Sequence, residues 1–220
     1  METFHQGKAM KHSIPALLAF CLIYFSPPAF SIVVDGVDVP ELLPADGSRP
    51  ALFLNGAAKR KFLLFVDVYV GSLYVESTSE NPHQLLSNDG YRRMEFQMLR
   101  NVRGRKIADA FYEGMQLNVT PEEALSMESA IEQMVDMFDQ RLSKGDVAVV
   151  EYIPGRGTHV VLAGNDRGLI PSKALFDAIL SIWIGEYPVS QEFKAGILGI
   201  ETASAEAQTA AQKRREQDDF

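Results

Sequence analysis

The chain has one cysteine, Cys21, inside an apolar stretch near its N-terminus. Without that stretch the domain has no thiol, which excludes disulfides, cysteine–metal sites and thiol catalysis. Histidine is nearly as scarce. Beyond residue 31 only His83 and His159 remain; neither has a neighbour at metal-ligand spacing, so each reads as a surface or hydrogen-bonded residue. An excess of basic charge is also missing. With 29 acidic and 21 basic side chains the net charge is −8, which argues against nucleic acid and anionic membrane surfaces as main partners. Gly155-Arg156-Gly157 is too short for a phosphate-binding loop and is explained by a hairpin turn. No internal repeat is present, and nothing in the residues requires a cofactor or a metal.

The N-terminus reads as an export signal. Met10-Lys11-His12 precedes IPALLAFCLIYF, an apolar run of 12 residues, followed by Ser26-Pro27-Pro28-Ala29-Phe30-Ser31. A basic start, a short apolar core and small residues at the third and first positions before a cut define a secretory signal peptide. The run falls short of the roughly 20 residues that span a bilayer, so no integral span is expected after removal. Residues 1–9 read as an upstream extension, with Met1 or Met10 as the start. Cleavage after Ser31 removes Glu2, Lys8 and Lys11, a net +1, and moves the charge from −8 to −9. The expected location is a periplasm, which suits a domain without cysteine. The expected organisation is a signal with its extension over 1–31, one domain over 32–200, and a frayed or disordered Ala-, Gln- and charge-rich tail over 201–220. The 189 residues after the cut suffice for one domain that buries about 70% of its unfolded surface.

Within the domain, IVVDGVDVP reads as a hairpin around Asp35-Gly36, and ELLPADGSRP as a loop. Residues 51–58 and 62–76 read as strands, Asn81 to Ser87 as a short helical turn, YRRMEFQML as a strand and 105–117 as an amphipathic helix. The strongest helix signal covers 121–142. Thr120 is its N-cap, Pro121 its first residue and Glu123 completes a capping box. Met127, Ile131, Met134, Phe138 and Leu142 form its core-facing stripe. Two strands follow around Pro154–Gly157. A helix capped by Ser172 ends at Gly185, and a short one is capped by Ser190. Strands, two helices, strands and two helices again indicate α+β with an antiparallel sheet.

Residues 52–76, LFLNGAAKRKFLLFVDVYVGSLYVE, are the most informative stretch. A small-residue turn, Asn55 to Ala58, leads into Lys59, Arg60 and Lys61 and then into a run apolar at almost every position. A strand apolar on both faces must be covered on both, which places it inside the sheet.

This stretch resembles the chalcone isomerase superfamily. KGDVAVVEYIPGRGTHVVLAGNDRGLIP is similar to the family's late hairpin, and FDAILSIWIGEYPVSQEFKAGILG to its C-terminal pair of helices. The resemblance runs in order from Ala51 to Gly199. It implies a curved antiparallel sheet with helices layered over one face, and a ligand cleft between the layers. Alone, an arginine in Lys-Arg-Lys reads as a solvated charge. The resemblance puts Arg60 where the family's arginine points into the cleft and meets the ligand's negative oxygen. It puts Tyr69 where the isomerases have threonine and the fatty-acid-binding branch has tyrosine. Arg60 and Tyr69 then form a clamp for a carboxylate, guanidinium supplying a charged fork and phenol one further donor. By alternation Tyr69 lies opposite Val68 and Val70 and shares its face with Asp67. That carboxylate opposes an anionic ligand unless Lys59 or Lys61 pairs with it.

The other isomerase positions fall on Arg103, Ala110 and Ile182. Ring closure needs a polarised ketone and a positioned water, and Ala110 and Ile182 supply neither hydroxyl nor amide. The expected function is therefore an exported, non-catalytic binding protein for a fatty acid or similar apolar carboxylate. Two readings stay open beside it: an intramolecular lyase or isomerase acting on a phenolic or enone substrate, and a periplasmic structural or assembly protein without a small ligand. Oligomeric state has no signature in the sequence.

Overall fold

The computed structural model describes residues 30–62 and 66–200. Residues 1–29 of the expected signal, and the expected tail over 201–220, lie outside them. The chain opens with strands β1 (Ser31–Val34), β2 (Val37–Pro40), β3 (Leu42–Leu43), β4 (Leu52–Phe62) and β5 (Val66–Val75). Helix α1 (Pro82–Ser87), β6 (Arg92–Met98), β7 (Val102–Arg103) and α2 (Gly104–Gln116) follow. Then come α3 (Pro121–Ser126), α4 (Glu128–Met137) and β8 (Arg141–Leu142). The chain continues through β9 (Val147–Ile153), β10 (Gly157–Leu162), β11 (Asn165–Ile170), α5 (Lys173–Ile184) and α6 (Gln191–Ile197).

Seven strands form a curled antiparallel sheet in the order β11-β10-β9-β6-β5-β4-β3. With the helices this is the α+β architecture that the sequence indicates. α5 is buried nearly all round, from Leu175 to Ile184, and lies between the sheet and the other helices. The main core joins Leu73, Met94, Phe96 and Val150 of the sheet to Phe111, Met134, Phe176 and Trp183 of the helices.

The other face of the sheet is not bare. The β1–β2 hairpin covers a second cluster made by Val37, Val39, Leu52, Val70, Tyr74 and Tyr91. This explains why β5 is apolar on both faces: Leu73 and Val75 face the helices, while Val70 and Tyr74 face the hairpin. The expected helix layer on one face is thus joined by a partial cover on the other.

Several local expectations are corrected. Asn55 to Ala58 is not a turn but part of β4, which runs on through the basic cluster to Phe62. The register against β5 shifts between Leu54 and Gly56, so Asn55 is an extra, bulged residue. Small residues are needed here because α6 packs directly on the strand. A Cβ on Gly56 would sit 2.6 Å from the Ile197 carbonyl oxygen, and Asn55 Nδ2 donates to that same oxygen at 2.9 Å. β4 ends at Phe62 and β5 begins at Val66, and the two pair antiparallel, so the run from 62 to 76 is not one continuous strand.

The helix expected over 121–142 is broken at Met127, whose φ of −107° and ψ of 5° leave the helical region. The capping box of Thr120 and Glu123 is present. Met127, Ile131, Met134, Phe138 and Leu142 are all buried, but Leu142 reaches the core from β8. A third strand, β11, follows the late hairpin, turning through Ala163 and Gly164, both at positive φ. β3 pairs with β4 inside the segment expected to be only a loop.

Arg92 is fully buried and ties three elements together. It pairs with Asp177 of α5 at 2.8 Å, donates to the Leu85 and Leu86 carbonyls of α1, and lies over the rings of Tyr152 and Phe176. Its five donors and planar cation suit such a site better than lysine would.

Candidate functional site

Arg60 and Tyr69 are direct cross-strand partners in the β4–β5 ladder. Residues opposite one another in a ladder project from the same face, so the two expected clamp residues stand side by side. The next pair is Lys61 with Asp67, which leaves Val68 as an extra residue on β5. That bulge resets the alternation. Val68 and Tyr69 both line the cleft, and Asp67 turns to the opposite side. There Asp67 meets Lys59 at 3.3 Å, and Lys59 also bonds Asp35 of the β1–β2 turn. The expectation that Asp67 shares the face of Tyr69, with Val68 opposite, is thereby corrected.

The cleft is a cavity of about 490 Å³ between the sheet and the helices α2 and α5. This is within the range of small-molecule pockets, about 300–1,000 Å³. Its depth is apolar, formed by Phe96, Met98, Ile107, Phe111, Ile182 and Trp183. Aromatic rings meet edge-on through it. Tyr69 lies 5.2 Å from Phe96, and Phe111 lies 5.3 Å from Trp183, geometries favoured by the ring quadrupoles. Two glycines permit this packing. A Cβ on Gly71 would sit 2.7 Å from the tip of Phe193, and one on Gly114 would sit 2.8 Å from Ile182.

Tyr69 is held by the helix layer. Trp183 Nε1 donates to its hydroxyl oxygen at 2.9 Å. A phenol that accepts one bond keeps its own O–H to give, so the tryptophan leaves Tyr69 a donor. Burial pushes the phenol up to about 12, against smaller opposing effects of the Trp183 bond and the Arg60 charge. It stays protonated at any physiological pH. Arg60 lies half-buried at the rim, where its guanidinium donates to the Lys61 carbonyl.

The three positions that the resemblance assigns to isomerase chemistry reach the same cavity. Arg103, Ala110 and Ile182 all line it. None brings a hydroxyl or amide to the apolar interior. Arg100 and Lys106 also line the rim, and sequence reasoning did not single them out. A signal was available: residues 100–106, RNVRGRK, concentrate four cations in an otherwise acidic chain.

A larger depression of about 780 Å³ lies along β4 beside Asn55 and Gly199. It opens widely to solvent, and its charged lining residues are Glu41 and Glu76, which suit no anion. Among the described residues no group of three or more His, Cys, Asp or Glu could hold a metal ion. Among them no helix is long and apolar enough to cross a membrane.

The fold matches a known one. The crystal structure of the Arabidopsis thaliana fatty-acid binding protein AtFAP1 superposes with a TM-score of 0.60 at 18% sequence identity, over 77% of this chain and 96% of that one. At that identity the likeness is one of fold. Among curated proteins none matches the chain. The family model described as chalcone isomerase-like matches residues 31–199. A match over that span shows that the chain belongs to the chalcone isomerase-like family.

Proposed function

We propose that this protein is an exported, non-catalytic binding protein whose cleft holds a fatty acid or similar apolar carboxylate. One observation carries the reading: a cation and a neutral phenol, adjacent across the β4–β5 ladder, stand at the mouth of an apolar cavity. An amphiphile with one negative end has the complementary form. Its carboxylate takes a charge-assisted fork from Arg60 and one bond from Tyr69, and its chain lies against Phe96, Phe111, Ile182 and Trp183. Desolvation by those rings strengthens the charged contact. That the Arabidopsis thaliana protein of the same fold is a fatty-acid binding protein supports this reading.

Catalysis has no comparable support. At the positions that the resemblance assigns to isomerase chemistry, Ala110 and Ile182 bring no group that could polarise a ketone or hold a water. For location we propose a periplasm, reached through the basic, apolar and small-residue segments before Ser31.

Native mass spectrometry of protein purified without detergent tests the binding function. Added mass that resolves into acyl chains on extraction is expected. Protein that is empty, and that stays empty when laurate or palmitate is added, refutes it. N-terminal sequencing of periplasmic extract tests export, with a start close to Ile32 expected and an intact Met1 or Met10 overturning it.

A further inference from the structure

The polar end of the cleft carries more positive charge than one carboxylate can use. Arg60 lies opposite Tyr69, and Tyr69 lies opposite Met98 on the next strand. The chain leaves β6 at Met98 and runs directly into Arg100, Arg103 and Lys106, anchored where Leu99 N–H donates to the Val68 carbonyl at 2.9 Å. All four cations therefore gather at one end of the cavity, and all four line it. Among the described residues no aspartate or glutamate lines it. The bulge at Val68 has already turned Asp67 away. Among the described residues none of the four cations forms an ion pair, whereas neighbouring Arg105 is engaged by Asp109 at 3.8 Å. On a chain of net charge −8, a cationic rim without carboxylates focuses anions onto this one opening.

We infer that this rim is a phosphate-head subsite, and that the preferred ligand is a single-chain amphiphile ending in a phosphomonoester. The inference rests on reading the cleft as an amphiphile site and specifies the head that it takes. A monocarboxylate engages Arg60 and Tyr69 and leaves Arg100, Arg103 and Lys106 unneutralised. A phosphomonoester brings about −1.5 to −2 charges and three acceptor oxygens at neutral pH. Two or more arginines can meet it with paired donors, and Lys106 adds a point charge. The apolar depth of the cavity is the same for either ligand, so the head alone sets the preference.

The test is titration calorimetry with two probes of equal chain length, dodecanoate and dodecyl phosphate, at pH 7.5 and low salt. Dodecyl phosphate is expected to bind at least about tenfold more tightly, one charge-assisted contact being enough for that ratio. Arg103→Ala and Lys106→Ala are expected to narrow the ratio, while Arg105→Ala, on a side chain outside the rim, leaves it unchanged. Lowering the pH to 5 protonates the phosphate to a monoanion and should also narrow it. Equal or weaker binding of dodecyl phosphate overturns the phosphate subsite and leaves the carboxylate reading standing. A preference that survives both Arg103→Ala and Lys106→Ala overturns the assignment to this rim. Failure of both probes to bind overturns the amphiphile cleft itself.

Discussion

The indole N–H of Trp183 meets the phenol oxygen of Tyr69 at 2.9 Å, joining residues 114 positions apart and tying the last long helix to the sheet. The bond uses an acceptor of the phenol and keeps its proton for the cleft. It also fixes a ring already held edge-on by Phe96 and Phe193. The site is thus set by packing before any ligand arrives, and preorganisation of this kind lowers the entropy cost of binding.

The clamp predicts an order of effects. Arg60→Ala should weaken carboxylate binding by about 1.5–3 kcal/mol, the worth of a bond to a charged group, and Tyr69→Phe by about 0.5–1.5 kcal/mol. Arg60→Lys should recover only part of the loss, because ammonium offers no planar fork. Lys61→Ala, on an exposed side chain, should change little. Calorimetry with fatty acids from laurate to stearate measures all four. Equal affinity of wild type and Arg60→Ala would sink the clamp.

Because the Tyr69 phenol lies at about 12, carboxylate affinity should show no titration of this group between pH 7 and 10. A step in affinity there that disappears in Tyr69→Phe would contradict the neutral-donor role.

Chalcones should not cyclise faster with the protein than in buffer. Arg103, Ala110 and Ile182, the positions that the resemblance assigns to isomerase chemistry, all line the cavity, and none of the three brings a hydroxyl or amide to it. A rate that scales with the concentration of rigorously purified protein would refute the non-catalytic assignment.

The outer face of the sheet carries a pH-dependent element away from the cleft. His159 bonds Glu151 and Asp166, each at 2.9 Å, and Arg93 bonds Glu151 at 2.8 Å. Burial pulls the imidazole down, but the bonds to Glu151 and Asp166 and their charges outweigh it and raise the net value. A raised folded pKa makes the imidazolium stabilising below the unfolded value near 6.5. That contribution fades as pH rises through the higher folded value. Urea midpoints should therefore fall from pH 6 upwards in wild type and show a flatter profile in His159→Gln. Identical profiles would dismiss the contribution.

Gly56→Ala should destabilise the fold by about 1–3 kcal/mol or more, as overpacking does, because backbone atoms of α6 occupy the space of the new methyl group. Thermal melts test this; an unchanged Tm would show that α6 can move off β4.

The architecture was legible wherever a local rule decides. Thr120 and Glu123 mark the start of α3, Ser172 and Gly185 bound α5, and the two-faced apolar character of β5 requires cover on both sides. The family's ordered segments also put Arg60 and Tyr69 forward as a pair. Other features were not legible, because their causes lie far away in sequence. Asn55 to Ala58 looks like a turn until α6, some 140 residues later, is found packed against it. The face of Asp67 depends on one extra residue in a strand pairing, and an alternation rule cannot see a bulge whose partner strand it has not placed. Trp183 becomes a partner of Tyr69, and Arg100 and Lys106 become part of one rim with Arg60, only when the sheet curls and the helices close over it. Sequence alone determines which segments can bury an apolar face, since that is a matter of periodicity and caps. Tertiary structure decides which polar groups meet at the mouth of the cleft, since long-range packing fixes register, bulge and close approach.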